Sequence, residues 1–225
     1  MAAVSEATIQ KLIEGFKEIP TGNIADAMDS LGLLGGVAAG LHPIDRNQPH
    51  MVGRAVTVLQ GPRRPGAGTD HLTRHSKVLD ETARPGDVMV ISVGGRTDVC
   101  TWGGLLSLRA KRKGLAGVVI DGAARDQNDM IASGLPAFVR GFTPQSSHIT
   151  LDTLAVNQPI NCGGVQVRPG DIVVADDDGV VVVPRAIAEE VLQDAMAIDE
   201  VEARMTAELR QGHPFMEVFR KHARI

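Results

Sequence analysis

The chain has 225 residues, of which 43% are hydrophobic and 22% charged, and its formal net charge is -4. That length and apolar content fit one large domain or two small ones of ordinary globular class, with ample material for a core. The acidic balance and the 3% of aromatics, with no Tyr, argue against nucleic acid as the main partner, because phosphate binding needs clustered Lys and Arg and base binding needs stacking rings.

Two cysteines, Cys100 and Cys162, give neither a zinc-ligand spacing nor a disulfide framework, and they read as small buried thiols. The opening "MAAVSEATIQKLIEGF" lacks a basic segment followed by an uninterrupted apolar run, and no apolar stretch approaches the length of a membrane span. A soluble cytoplasmic protein is expected, with neither membrane nor nucleic acid as a partner.

Ile9, Leu12, Ile13 and Phe16 recur at helical spacing and predict an amphipathic helix over 6–18, ended by Pro20. Thr21 stands where an N-cap belongs, ahead of a second helix with Ile24, Ala27, Met28 and Leu31 on one face and Gly32 at its end. Asp26 and Asp29 read as solvated helix carboxylates. From Gly35 to Pro65 the chain is rich in turns around one strand, "RAVTVLQ". "TDHLTRHSKVLDETA" predicts a helix that places His71 and His75 four residues apart. Two imidazoles at that spacing can share a metal, but no HExxH-type carboxylate accompanies them, so ordinary helix histidines are the preferred reading.

"RPGDVMVISVGG" then gives a turn and a buried strand over Val88–Val93, and "GGLLSLRAKRKG" a helix ending at Gly114. Its Arg109, Lys111, Arg112 and Lys113 read as a solvated face. "LAGVVID" predicts the next buried strand, "QNDMIASG" a short helix and "LPAFVRGFTP" a strand with a turn. A second "RPGD", at Arg168, leads into "IVVADDDGVVVVP", two strand-like runs around an acidic turn. A long helix is expected over 185–210, broken by Gly212 and Pro214 and followed by a short tail. The alternation of strands and helices predicts an α/β fold with a parallel or mixed sheet.

Ligands of open α/β sheets bind at the C-terminal ends of the strands, and two loops there carry suitable chemistry. "SVGGRTDVCTWGGLL" opens a helix, so the amides of Leu105 and Leu106 are donors without an intrahelical acceptor, and Gly103 and Gly104 permit close approach of a ligand. "DGAARD" offers Arg125, whose planar fork grips a carboxylate, and Asp126, a hard-oxygen donor of the kind Mg2+ or Mn2+ prefers. Together they would hold a 2-oxo acid, with arginine and amides on the carboxylate and a metal stabilising an enolate, as aldol cleavage or β-decarboxylation requires. Read alone, each loop is better taken as a plain turn. Asp121 reads as a turn-shaping residue and Asp129 as a cap of the short helix. Serine-hydrolase, cysteine-histidine and dinucleotide motifs do not occur.

"TGNIADAMDSLG", "RPGDVMVI", "WGGLLSLRAKRKGLAGVVIDGAARD", "PAFVRGFTP" and "CGGVQVRPGDIVVADDDGVVVVP" resemble, in order, the landmarks of the RraA-like family. That family includes class II pyruvate aldolases for 4-hydroxy-4-methyl-2-oxoglutarate and 4-carboxy-4-hydroxy-2-oxoadipate, and regulators that inhibit a ribonuclease by protein contact. The resemblance implies a single domain over 1–225 of the swivelling α/β/β type, with N-terminal helices over 1–33 and a C-terminal helix and tail over 185–225. It also implies a homotrimer or hexamer with interface active sites and a divalent metal, Mg2+ or Mn2+. Carried over by position, Arg125 binds the substrate carboxylate with the amides of Leu105 and Leu106, and Asp126 ligates the metal. Glu202 of the terminal helix, with Glu200 as the alternative, reaches a neighbouring subunit to hold a water on the metal. The aldolases carry an acid immediately before the two amides, separated by 20 residues from the Arg-Asp pair; here that position is Gly104. Asp98, Asp121 and Asp129 are the carboxylates that could compensate. A metal-dependent lyase on a pyruvoyl substrate is the first expectation, and a non-catalytic ribonuclease regulator the second.

Overall fold

The computed structural model describes residues 6–33, 35–64, 66 and 74–222. Helices α1 (Glu6–Phe16) and α2 (Thr21–Ser30) come first. After them the short strands β1 (Val37–Ala38) and β2 (His42–Pro43) precede the long β3 (Met51–Pro62). A single helical turn, α3 (Arg74–Lys77), widens into a π-helical turn over Val78–Thr82. The remainder of the helix expected there, including His71, lies outside the described residues.

The central run is β4 (Asp87–Ser92), β5 (Cys100–Trp102), α4 (Gly104–Lys113), β6 (Gly117–Ala124), α5 (Gln127–Ser133) and β7 (Ala137–Phe142). Five short strands follow: β8 (Leu151–Val156), β9 (Ile160–Cys162), β10 (Val165–Val167), β11 (Ile172–Ala175) and β12 (Val180–Val183). The chain closes with α6 (Ala188–Arg210) and α7 (Phe215–His222). The segment expected as a tail is therefore helical: the Glu208 carboxylate of α6 accepts from Lys221 Nζ at 2.7 Å and lies 2.8 Å from His222 Nε2, which clips α7 back onto α6.

Ten strands form one mixed sheet in the order β1-β12-β11-β3-β4-β6-β7-β2, with β5 beside β6 and β8 beside β3. The strands β3, β4, β6 and β7 run parallel, and β11, β12, β1, β2 and β8 join antiparallel. Both faces of the parallel strands are covered, one by helices and the other by the interior that the β9–β10 hairpin closes, so these strands read as unbroken apolar runs rather than alternating ones. Successive residues of β4 serve different cores. Met89 and Ile91 join the cluster that also holds Trp102, Ala110 and Met130, while Val88 and Val90 face the interior closed by the β9–β10 hairpin. In β12 the same period of two sends Val181 and Val183 toward α1, α2 and α6, and Val180 and Val182 inward.

Thr21 does not cap α2. It is the first helical residue, and its N–H and hydroxyl both donate to Asp176 in the acidic turn after β11, at 2.8 and 2.6 Å. Asp176 lies 155 residues away, so the side chain that satisfies this helix start is a tertiary partner. Both "RPGD" turns are built alike: the Asp87 and Asp171 carboxylates accept the N–H of Arg84 and Arg168, each at 2.8 Å. Cys100 and Cys162 are buried, free thiols. Among the described residues no helix is long and apolar enough to cross a membrane.

Candidate active site

Parallel pairing of β4 with β6 places Ser92 opposite Asp121, so the glycine loop and the "DGAARD" segment leave the sheet at the same end. β5 then lies along the last residues of β6, with Trp102 opposite Ala124. The Arg125 N–H donates to the Trp102 carbonyl at 3.0 Å, which sets Gly103-Gly104 directly beside Arg125-Asp126. Trp102 is buried, and its indole N–H donates to Ser107 Oγ at 2.9 Å, pinning the first turn of α4. The amides of Gly104, Leu105 and Leu106 begin that helix, where α-helical N–H groups have no intrahelical acceptor.

The two glycines are required by the carboxylates opposite them. A Cβ on Gly103 would lie 2.8 Å from Asp126 Oδ2 and 3.2 Å from Arg125 Cγ. A Cβ on Gly104 would lie 2.6 Å from the Cβ of Asp129 and 3.4 Å from its Oδ2. The carboxylate-bearing carbon of Asp129 thus occupies the space that a side chain at position 104 would need. The Asp126 carboxylate reaches the Gly104 N–H at 3.4 Å and Arg125 Nε at 3.5 Å.

Asp126 sits at the N-cap position of α5 in the left-handed region, φ 59° and ψ 46°, without making a side-chain cap bond. Among the described residues only Asn157 is another non-glycine with positive φ. That conformation costs an L-residue roughly 1–2 kcal/mol, less for Asp than for most. Here it turns the carboxylate away from the helix and toward Gly104. Asp129 was expected as the cap of α5; it lies instead in the first turn, and Asp126 holds the cap position.

Asp121 is 3% exposed, and its carboxylate pairs with the Arg140 guanidinium from β7. Its carbonyl accepts from the N–H groups of Val93 and Gly95 at 3.2 and 3.1 Å, which shapes the turn after β4. Asp98 is salt-bridged to Arg96 at 2.6 Å on the surface. Of the carboxylates that could compensate for Gly104, Asp129 is the one brought against it. Its signal in sequence was only its place three residues after Asp126.

Arg125 and Asp126 form a ridge between two clefts. One, of about 330 Å3, is lined by the glycine loop, Leu105, Leu106, Cys100, Thr101, Trp102, His75 and the 146–148 turn. The other is lined by Gln127 and the end of β7 with Phe142. Glu202 lies exposed on α6, which packs on α1, α2 and α7, and it is not among the residues lining either cleft. His75, half-buried, lies with Nδ1 3.3 Å from Gln60 Nε2; burial holds its imidazole below the usual histidine range. Among the described residues no group of three or more His, Cys, Asp or Glu converges as a metal cage. The residues that could hold a divalent cation are Asp126 and Asp129, both exposed to solvent. That arrangement fits Mg2+ or Mn2+, which keep several waters and take one or two protein carboxylates.

The Aldolase/RraA family matches residues 21–182. The chain belongs to the RraA-like family. A candidate 4-hydroxy-4-methyl-2-oxoglutarate aldolase of Halalkalibacterium halodurans is 39% identical over 192 residues, 85% of each chain. A solved structure of an uncharacterized protein from Pseudomonas syringae superimposes with a TM-score of 0.87 at 30% identity, covering 98% of this chain and 96% of that one. A Streptomyces coelicolor protein described as an unusual member of the RNase ES inhibitor RraA family gives 0.79 at 31% identity, covering 90% and 97%. The fold is thus the RraA-like α/β domain, its curled mixed sheet flanked by helices at both ends of the chain.

Proposed function

We propose that this RraA-like protein is a divalent-metal-dependent lyase that cleaves a 2-oxo acid to pyruvate by aldol cleavage or decarboxylation. The observation that carries the reading is the close apposition of Gly103-Gly104 with Asp126 and Asp129. A strained aspartate, a second carboxylate, an arginine and the free amides of a helix start meet at one strand end. The similarity to a candidate aldolase over most of both chains supports the same class.

In this reading Arg125 and the amides of Leu105 and Leu106 take the substrate carboxylate, where a charge-assisted pair and a helix N-terminus add. Asp126, supported by Asp129, holds Mg2+ or Mn2+. The ion supplies positive charge where the 2-oxo group gains negative charge as the bond to the leaving fragment breaks. Trp102 fixes the amides through Ser107 and receives the Arg125 N–H, so the carboxylate grip and the metal carboxylates are set at one spacing. Leu105 is 85% exposed and Phe142 38%, an apolar rim that suits cover by another copy of the chain. A homotrimer or hexamer in which Glu202 of a neighbour completes the site is part of the proposal. Pyruvate release from oxaloacetate and from 4-hydroxy-4-methyl-2-oxoglutarate, with and without Mg2+, tests it; no release from either contradicts it.

A second reading is a regulator acting by contact on a ribonuclease, favoured by the likeness to the Streptomyces coelicolor protein. Capture of a ribonuclease, with no pyruvate release, would select it.

A further inference from the structure

The two "RPGD" turns lie at the opposite end of the sheet from Arg125 and Asp126, and they take no part in the proposed lyase site. One precedes β4 and the other β11, the two strands that flank β3, and Arg54 of β3 registers with Asp87 on one side and Ile172 on the other. The turns therefore stand on either side of Arg54. The length of β4 separates this end from the glycine loop by about 17 Å, at roughly 3.3 Å per residue. Between the turns is an open cleft of about 360 Å3, whose polar lining is Arg54, Thr82, Arg84, Asp87 and Asn157, with the Pro169-Gly170 corner of the second turn. It has room for about a dozen water-sized groups, more than a single ion fills.

Asp87 does not make this cleft acidic. Its side chain is 3% exposed and both oxygens are taken: Oδ1 accepts from Arg54 Nε and Nη2 at 3.0 and 2.9 Å, and Oδ2 accepts the Arg84 N–H at 2.8 Å. The buried carboxylate thus fixes the Arg54 fork and leaves Nη1 for an outside anion. Nη1 donates to both carboxylate oxygens of Glu6, at 2.8 and 3.0 Å. Glu6 opens α1 and its side chain is 73% exposed, and an ion pair with so exposed a partner is worth little. A carboxylate of the chain itself therefore marks where an anion sits on Arg54. Arg84 is exposed, and among the described residues no carboxylate pairs with its guanidinium. A further guanidinium stands close by, since Arg185 Nη1 would lie 3.5 Å from a Cβ on Gly170. The Asp171 carboxylate is turned to the N–H groups of Arg168 and Arg185, at 2.8 and 3.1 Å. The buried carboxylates are spent on backbone N–H groups and on Arg54, while Arg84 keeps an unshared charge.

We propose that the cleft between the two "RPGD" turns is a second ligand site, remote from the lyase site, for a small di- or tricarboxylate. One ligand carboxylate takes the place of Glu6 on Arg54 Nη1, and a second reaches the Arg84 guanidinium, with Thr82 and Asn157 as hydrogen-bond donors beside them. Two carboxylates are required because a monocarboxylate must displace the tethered Glu6 with no second contact to offset the advantage of the tether. The proposal stands independently of the lyase reading.

Calorimetric titration of propane-1,2,3-tricarboxylate into the chelator-stripped full chain tests it. The wild type should bind the tricarboxylate at least about 10-fold more tightly than acetate or sulfate, since one further charge-assisted contact is worth about one order of magnitude. Arg84→Gln, on an exposed turn, should weaken binding about 10-fold for the same reason. Glu6→Gln should tighten it about threefold, because the ligand no longer displaces an internal carboxylate held by a weak surface pair. Arg125→Gln, which removes the carboxylate grip at the other end of the sheet, should leave the Kd unchanged within about twofold. Binding lost in Arg125→Gln and kept in Arg84→Gln would overturn the proposal by placing the tricarboxylate at the lyase site. Sulfate bound as tightly as the tricarboxylate would overturn it by reducing the cleft to a patch of surface charge. No binding to the wild type would overturn it and leave the lyase reading standing.

Discussion

Gly104 and Asp129 share one volume: a Cβ on Gly104 would lie 2.6 Å from the Cβ of Asp129. An acid at position 104 and an acid at position 129 are therefore alternatives. Gly104→Asp should cost about 1–3 kcal/mol by overpacking. Asp129→Ala should weaken Mn2+ binding by about 10- to 100-fold, as loss of a supporting metal-site group does. The double variant Gly104→Asp with Asp129→Gly should recover both, since contacting sites are not additive. Thermal unfolding and Mn2+ titration by electron paramagnetic resonance check this. Additive losses in the double variant would contradict it.

Asp126 combines function with strain. Asp126→Gly places the residue that best tolerates φ 59° at the site. Its thermal midpoint should equal or exceed that of the wild type while Mn2+ affinity falls by two orders of magnitude or more. Asp126→Ala should lose the same affinity and also about 1 kcal/mol of stability. A loss of stability on Asp126→Gly equal to that of Asp126→Ala would argue that the strained turn has no cost.

Asp121 and Arg140 test the frame rather than the chemistry. Asp121→Ala leaves the mostly buried Arg140 guanidinium, which projects from β7, without its carboxylate. A cost of about 3 kcal/mol is expected, the penalty for breaking a buried pair at one partner. Chemical denaturation with an unchanged m-value measures it. A change under about 0.5 kcal/mol would show the pair to be incidental.

The thiols give a pH dependence. Burial pushes Cys162 up to about 12 and raises Cys100 as well. At pH 8 both should resist a thiol reagent in the native state and react once unfolded. Because the folded value of Cys162 lies above the unfolded value of about 9, its contribution to stability is fully present below pH 9. It is lost as pH rises toward 12. Rapid labelling of native Cys162 at pH 8 would contradict this.

Much of the architecture was legible because it rests on local pattern. Ile9, Leu12, Ile13 and Phe16 repeat every three to four residues, and the runs of β4, β6 and β12 are apolar on both faces, so α1 and these strands could be read directly. The two- and three-residue strands β1, β2, β9 and β10 hold too few residues to show a period. The final segment read as a tail because Gly212 and Pro214 break α6. Its helix is held by Glu208, Lys221 and His222, which are 13 and 14 residues apart. At the site, Arg125, Asp126 and the glycine amides were legible from residue chemistry at strand ends. The role of Asp129 was not, because it depends on how closely α5 approaches the start of α4. His75 was weighed only against His71, whereas its cleft neighbour is His148, 73 residues on in the chain.

The most direct test is pyruvate formation from 4-hydroxy-4-methyl-2-oxoglutarate by chelator-stripped protein, with Mg2+ added back, for the wild type and Asp126→Asn side by side. Mg2+-dependent release by the wild type and a loss of at least about 100-fold in Asp126→Asn, as expected when charge stabilisation at the reacting oxygen is removed, is the predicted result. Release that is independent of Mg2+, or equal rates in the two proteins, would contradict a metal-dependent lyase centred on Asp126.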